Sequence, residues 1–460
     1  MAKPTPLMLR INHLADFKPT AMSRAWVSIP NPNDIPLIAT ATSEKSVRVY
    51  SLRNFTLHSK MDKAHERTVK SVAWKPTTGK GRTKMSLATG SFDSTMGIWQ
   101  RREQFGGEVA SNSMDGEDQE MEITSSGKPK SHRNTDGSDA ESESSGEEEW
   151  EYSIVLEGHD SEIKCVSYSP SGQYLASCSR DKSIWVWEEI GEDGDDEWET
   201  VAVLQEHEAD VKCVAWRKDD GNGELLASGS YDDTVRLWRG DEDGEWSSVA
   251  ALEGHEGTVW ALEWEPEAVQ KLFANSTGQD DGDEYSRPPK RLMSSSADLT
   301  IRVWSKTPTP PPPNRPSYFS NAGIPSTMRP GPNMETWTCS ATLPTAHTLP
   351  IYSISWSPLS GRVCSTSSDG FIVVYEERTT GRTSVGGAIE REWVVIGVLE
   401  GAHGPYEVNH VTWAKRYDPG SRPNEEMIIT TGDDGAVRAW FITDIPQAGV
   451  ESGIGEITIS

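Results

Sequence analysis

The chain has 460 residues, more than a single hydrophobic core ordinarily supports, so it holds either several domains or a repeat architecture. Acidic residues outnumber basic ones 71 to 44, and a formal charge of −27 argues against a general nucleic-acid or anionic-membrane binder, because both need clustered positive charge. Five cysteines without a CxxC pair argue against a disulfide framework or zinc site, and neither a signal-type apolar core nor a run of ~18 apolar residues is present, so the chain reads as soluble and intracellular.

Along the chain one pattern recurs. A short stretch, His13–Pro19, precedes Trp26 and a first unit, LIATATSEKSVRVY (37–50), which has Glu44 where later units have Asp and lacks their His. The second unit runs from His65 to Trp99. The third is EGHDSEIKCVSY (157–168) with YLASCSRDKSIWVW (174–187), the fourth QEHEADVKCVAW (205–216) with LLASGSYDDTVRLW (225–238), and the fifth EGHEGTVWALEW (253–264) with LMSSSADLTIRVW (292–304). Looser copies run from His347 to Tyr375 and from His403 to Trp440, making seven units.

Each unit contains four short β-branched and aromatic runs separated by small polar turns, the mark of antiparallel strands. With a GH…D…W spacing this is a WD-repeat signature, although the WD dipeptide itself is absent. The expectation is an all-β, seven-bladed propeller with four strands per blade. The last blade lacks one strand, and His13–Pro19 is placed there to close the ring; GEITIS (455–460) is the alternative. Sixteen of the 18 tryptophans fit the repeat: Trp26, Trp74, Trp216, Trp264, Trp356 and Trp413 on first strands, Trp99, Trp187, Trp238, Trp304 and Trp440 ending third strands, and Trp150, Trp198, Trp246, Trp337 and Trp393 opening fourth strands. Trp185 and Trp260 fall outside it.

The recurring polar residues form sets that look like hydrolase triads: His65/Thr89/Asp93/Trp99, His159/Ser177/Asp181/Trp187, His207/Ser228/Asp232/Trp238, His255/Ser294/Asp298/Trp304 and His403/Thr430/Asp434/Trp440. Five copies cannot each be an active site, so they read as buried hydrogen-bond tetrads and the protein as no enzyme. The material between strands concentrates in an acidic insertion at 101–149, a second at 267–290, a Pro-rich one at 305–336, and smaller ones at 380–391 and 414–426. Segment 101–151 alone has 15 acidic and 5 basic residues, a composition expected to stay disordered. All of these join first to second or third to fourth strands, which leaves the opposite, top face uncluttered.

On that face two positions per blade should ring the channel. The residue before the tetrad Asp gives Phe92, Arg180 and Tyr231; the residue after the one opening the first strand gives Lys70, Lys164, Lys212, Trp260 and Tyr352. Such a cluster of cations and aromatics suits a peptide or protein segment carrying carboxylates and an aromatic side chain. The alternative is that each lysine is a solvated neighbour of the acidic surface. Cys165, Cys178, Cys213, Cys339 and Cys364 read as small buried hydrophobes, and no metal site is expected.

SFDST (91–95), CSRDKSIWVW (178–187), LQEH (204–207), SYDDTVRLW (230–238) and GHEGTVW (254–260) resemble the WD-repeat family of cytosolic iron–sulfur protein assembly. The resemblance implies a non-catalytic adaptor without a cofactor, acting on cytosolic and nuclear apoproteins. Its implied partners are a HEAT-repeat scaffold, a small subunit with a reactive cysteine and a hydrogenase-like cluster carrier. The family's functional top-face arginine falls on Arg180. A WD-repeat adaptor of another class, a ubiquitin-ligase substrate receptor or chromatin-peptide reader, is the competing reading.

Overall fold

A computed structural model describes residues 8–77, 84–102, 149–191, 197–218, 223–241, 244–269, 291–307, 335–383 and 389–445. Most of the insertions expected at 101–149, 267–290 and 305–336, and the segment GEITIS, lie outside these residues. Their described margins belong to strands or their approaches, as at Arg101 and Lys306, or to a short helical turn at 267–269.

The strands form seven four-stranded antiparallel sheets in chain order. Blade one holds β2 (Ala25–Pro30), β3 (Leu37–Thr42), β4 (Val47–Ser51) and β5 (Leu57–Met61). Blade two holds β6 (Val69–Trp74), β7 (Lys84–Ser91), β8 (Thr95–Arg102) and β9 (Glu151–Glu157). Blade three is β10 (Ile163–Tyr168), β11 (Tyr174–Ser179), β12 (Ile184–Glu189) and β13 (Trp198–Leu204). Blade four is β14 (Val211–Arg217), β15 (Leu225–Ser230), β16 (Val235–Gly240) and β17 (Trp246–Leu252). Blade five is β18 (Val259–Trp264), β19 (Leu292–Ser296), β20 (Ile301–Lys306) and β21 (Trp337–Thr342). Blade six is β22 (Ile351–Trp356), β23 (Val363–Ser367), β24 (Ile372–Thr383) and β25 (Ile389–Leu399). Blade seven takes β26 (Val408–Lys415), β27 (Glu426–Gly432) and β28 (Val437–Asp444), and its outer strand is β1 (Leu9–Asp16) from the other end of the chain.

That N-terminal strand closes the ring, and it starts at Leu9, earlier than the expected His13. Residues beyond Asp16 turn towards blade one, where Lys18 bridges Thr56. The segments 380–391 and 414–426 are not plain loops: β24 and β25 extend into the first, and Arg416 clamps Asp418 (2.7 Å) and Glu425 (2.9 Å) across the second.

Each apolar core lies between adjacent blades, not at the centre of the ring. Ala39, Val47 and Val49 of blade one meet Val69, Trp74 and Leu87 of blade two, and Met96 and Ile98 meet Ile163 and Leu175. The closing interface joins Ile38 and Tyr50 to Ile429 and Ala439. Four first-strand tryptophans stitch the ring further by donating the indole N–H to a carbonyl of the preceding first strand: Trp74 to Ile29 (2.8 Å), Trp216 to Ser167 (2.8 Å), Trp264 to Ala215 (3.0 Å) and Trp413 to Ser355 (3.2 Å), whereas Trp356 donates to Gly361 of its own blade (3.1 Å). Every sheet thus buries both faces against its neighbours, while the first strands leave an open channel between them.

The turns between second and third strands share one backbone shape. Lys45, Ser94, Lys182, Asp233, Leu299, Gly370 and Gly435 all have φ between 62° and 80°. That region suits glycine and strains other residues, so five of these positions carry strain that the surrounding hydrogen bonds hold in place.

Candidate functional site

The tetrads are hydrogen-bond chains. In blade four the Trp238 indole N–H donates to Ser228 Oγ (2.8 Å), Ser228 bonds His207 Nε2 (2.8 Å), and His207 Nδ1 bonds Asp232 (2.8 Å). A carboxylate only accepts, so Nδ1 carries the proton and Nε2 accepts from the serine hydroxyl. Equivalent chains run through His65, Thr89, Asp93 and Trp99, through His159, Ser177, Asp181 and Trp187, through His255, Ser294, Asp298 and Trp304, and through His403, Thr430, Asp434 and Trp440. Blade six adds a set outside the original five: His347 joins Asp369 (3.1 Å) and Ser365 (2.7 Å), with Tyr375 in the tryptophan's place.

Each carboxylate also takes a backbone N–H, as Asp232 does from Glu208 (2.9 Å). Burial would raise the pKa of Asp93, Asp181, Asp232 and Asp298, but their histidine and hydroxyl hydrogen bonds outweigh it and hold all four well below the ordinary range. Ser228 is wholly buried and its oxygen is engaged on both sides. No substrate reaches such a hydroxyl, so the arrangement ties strands together and has no access for acyl transfer.

The channel mouth is built from an irregularity repeated in all seven first strands. The ladder between first and second strands slips once near the start of each blade, between Ala25/Val27, Val69/Ser71, Ile163/Cys165, Val211/Cys213, Val259/Ala261, Ile351/Ser353 and Val408/His410. The residue left over is Trp26, Lys70, Lys164, Lys212, Trp260, Tyr352 or Asn409, and a β-bulge re-aims its side chain. All seven line one channel of about 780 Å³. The turn above is tied down at the same place: Phe92, Arg180 and Tyr231 donate backbone N–H groups to Thr68 (3.0 Å), Glu162 (3.0 Å) and Asp210 (2.8 Å).

The sequence reading misplaced Trp26. It does not occupy the strand-end position of Trp74; Pro30 does, pairing with Ile38 as Trp74 pairs with Leu87. Trp26 belongs to the rim, where Lys70 Nζ sits 3.7 Å and Arg24 Cζ 4.6 Å from its ring centroid. The signal was in its context. Trp26 is followed by Val27-Ser28-Ile29, which continue a strand, whereas Trp74, Trp264 and Trp356 are each followed within two residues by proline. Asn409 and His410 on blade seven were also missed. Trp185 proves structural: it stacks on Trp187 (5.3 Å), donates to Ser183 (3.1 Å) and covers Gly158, where a Cβ would lie only 2.5 Å from the indole.

The cations divide into three kinds. Lys164 and Lys212 are not solvated neighbours of the acidic surface; their side chains are only 14% and 13% exposed and are paired with Glu162 (2.8 Å) and Asp210 (3.0 Å). Lys164 also lies 4.5 Å from the Phe92 ring, and Lys212 lies 5.4 Å from both Tyr231 and Trp260. Arg180 projects into solvent, 59% exposed, with Glu162 at 3.5 Å. It shares a shallow depression of about 220 Å³ with Tyr231, which is 60% exposed.

Lys70 differs from both. Among the described residues no carboxylate pairs with it; burial, then Lys164 and Arg24 nearby, pull its pKa down to about 7. The indole N–H groups of Trp26 and Trp260 are buried without a hydrogen-bond partner. His410, deeper in the channel, is held near pKa 3 by burial and by Lys70, and its Nδ1 accepts from the Ser28 N–H (3.5 Å). The mouth therefore offers one ammonium with no carboxylate partner among the described residues and exposed aromatic surface, which is the chemistry of a receptor for an anionic, partly aromatic segment.

Among the described residues no cluster of three or more His, Cys, Asp or Glu is arranged to hold a metal ion, and no helix is long and apolar enough to cross a membrane. The family model "WD domain, G-beta repeat" matches residues 56–100, 150–188, 198–239, 246–305 and 337–376. The chain is 61% identical over 468 residues to "Probable cytosolic iron-sulfur protein assembly protein 1" of Sclerotinia sclerotiorum, covering 98% of this chain and 100% of that protein. It is 64% identical to the protein of that name from Botryotinia fuckeliana (95% and 98% covered) and 46% identical to that from Pyricularia oryzae (95% and 97% covered). With seven WD blades and identity across nearly its whole length, the chain belongs to the cytosolic iron-sulfur protein assembly protein 1 family.

Proposed function

We propose that the protein is a non-catalytic adaptor of cytosolic iron–sulfur protein assembly, holding partner proteins at the mouth of its channel. Its relatives' names supply the process, and the rim supplies the mode of action. The observation that carries the reading is Lys70, stacked on Trp26 and paired with no carboxylate among the described residues, in a chain of charge −27. A half-buried ammonium without a nearby counter-ion carries a desolvation cost, and an acidic group from a partner relieves that cost on binding. Around it Arg180, Tyr231 and Phe92 on the turns, with Lys164, Lys212, Trp260 and Tyr352 on the first strands, form the contact surface. The recognised segment carries a carboxylate for Lys70 and an aromatic ring for the space between Trp26 and Trp260.

The partners on this reading are the HEAT-repeat scaffold, the small reactive-cysteine subunit, the hydrogenase-like cluster carrier and apoprotein clients of cytosol and nucleus. Affinity purification of the full chain with and without Arg180→Glu tests it. Arg180 is exposed, so the variant should keep its melting temperature within a degree or two while recovery of at least one assembly subunit drops about ten-fold through lost charge complementarity. Recovery of ligase subunits or histones in their place, or equal loss of stability and binding, would overturn it.

A further inference from the structure

Below the bulged lysine of blade three the channel wall carries Cys165, and directly across the ladder from it on β11 lies Cys178. Residues opposed in an antiparallel pair have Cα atoms about 4.5–5.5 Å apart and side chains on the same face, within the ~4.4–6.8 Å span of disulfides. Both thiols are reduced and turn towards blade four: Cys178 is buried among Val211, Val214 and Trp216, and Cys165 packs at the edge of that cluster, half-buried and open to the channel. From these positions we propose that Cys165 and Cys178 are a peroxide-oxidisable dithiol, with Cys165 as the attacking sulfur and Cys178 as the resolving one.

The two sulfurs occupy opposite environments. The Cys178 thiol hydrogen-bonds Cys165; with the Val214 N–H, the Ser71 hydroxyl and the Lys70 ammonium, it outweighs burial and brings the Cys165 thiol down to about 7. Cys178 is pushed well above the ordinary thiol range by burial and by Cys165 beside it. One sulfur is thus available as thiolate where a small solute can reach it, and the other is held as a thiol in contact with it. That pairing of an accessible thiolate with an adjacent resolving cysteine is what a redox-sensing site requires.

In the first step the Cys165 thiolate attacks one oxygen of hydrogen peroxide; an S–O bond forms, the O–O bond breaks, and hydroxide leaves. In the second, the Cys178 sulfur attacks Cys165; the S–S bond forms, the S–O bond breaks, and the Cys178 proton departs with the hydroxyl as water. Two thiols are oxidised and one peroxide is reduced. The new bond would lie two residues before Arg180, at the base of the turn that carries it.

The molecule contains its own controls. Cys213 occupies the place of Cys165 one blade further on and lies near both thiols of the pair, but across its own ladder it opposes Gly229, so no cysteine faces it in register. Cys364 opposes Ser355, and Cys339 is exposed on an outer strand opposite Trp304. Full-length reduced protein is treated with increasing hydrogen peroxide, quenched by alkylation, and digested without reductant for mass spectrometry. The Cys165–Cys178 peptide pair should form at about ten-fold lower peroxide than any modification of Cys213 or Cys339, and dithiothreitol should reverse it. In Cys178→Ser, a dimedone adduct should accumulate on Cys165; in Cys165→Ala, a change confined to the channel wall, Cys178 should stay reduced. Oxidation of Cys339 or Cys213 while the pair remains reduced, or no dimedone adduct in a folded Cys178→Ser variant, overturns the proposal.

Discussion

The tetrads inside the blades and the rim of the channel draw on similar polar and aromatic residues for opposite purposes. Within a tetrad every donor finds an acceptor: indole to hydroxyl, hydroxyl to imidazole, imidazole to carboxylate, backbone N–H to the same carboxylate. At the rim the pairing is left incomplete among the described residues, with Lys70 facing an aromatic ring and two indole N–H groups without acceptors. The first arrangement adds rigidity because nothing is left for solvent or a ligand to satisfy. The second stores unmet interactions at an opening, and these are what a partner can complete. Repetition alone does not separate the two, since both recur around the ring; completeness of pairing does.

Acid should break the tetrads first and by the largest amount. The folded-state pKa values of Asp93, Asp181, Asp232 and Asp298 are depressed, so their contribution is present above the unfolded carboxylate pKa near 4 and is lost as pH falls below it. His410 adds to the same slope: with a folded pKa of about 3 against ~6.5 unfolded, it withdraws stability as pH falls from about 6.5 towards 3. Glu263, whose carboxyl burial raises to about 8, contributes the opposite slope between about pH 8 and 4.5, so urea unfolding at stepped pH should show the steep fall in stability below about pH 4.5, and His410→Asn should remove a loss spread from about pH 6.5 to 3. An unchanged midpoint down to pH 3 would contradict the assigned pairing.

His207→Ala isolates one tetrad. It leaves Ser228 and Asp232 each one hydrogen bond short, since Ser228 keeps Trp238 and Asp232 keeps the Glu208 N–H and Thr234, and should cost about 1–3 kcal/mol in chemical denaturation. Rim binding should weaken no more than that loss of folded protein explains.

Lys70→Met is the converse. Because the folded pKa is about 7 and the unfolded one ~10.4, the unfolded chain binds more protons between those values, and wild-type stability rises with pH across that window. Replacing the ammonium should remove that rise and stabilise the protein by roughly 1–2 kcal/mol at pH 7 while weakening partner capture. A variant that is both less stable and less able to bind would show Lys70 to be a packing residue. The smallest effect belongs to Leu299→Gly, which relieves a left-handed turn at φ 68° and should stabilise by no more than ~1 kcal/mol without touching binding.

Seven units, their four strands and five of six histidine tetrads were legible in the residues, because each unit repeats a local pattern of alternating apolar positions and turn residues. The rim was partly legible: Lys70, Lys164, Lys212, Trp260 and Tyr352 follow by counting from the residue that opens each first strand. Trp26 and Asn409 escaped because the first unit has no His to anchor the count and the last departs from the pattern. Three things needed the assembled ring. The seam is one: β1 and β28 lie at opposite ends of the chain and meet only because an open sheet edge must be paired. The state of each cation is another, since Lys164 and Lys212 lie two residues beyond acidic partners on their own blades while Lys70 does not. The last is the facing of Cys165 and Cys178, thirteen residues apart in sequence but opposite each other in register. Local patterning specifies a blade, whereas charge compensation and thiol proximity depend on distances across strands and between blades, which no single repeat encodes.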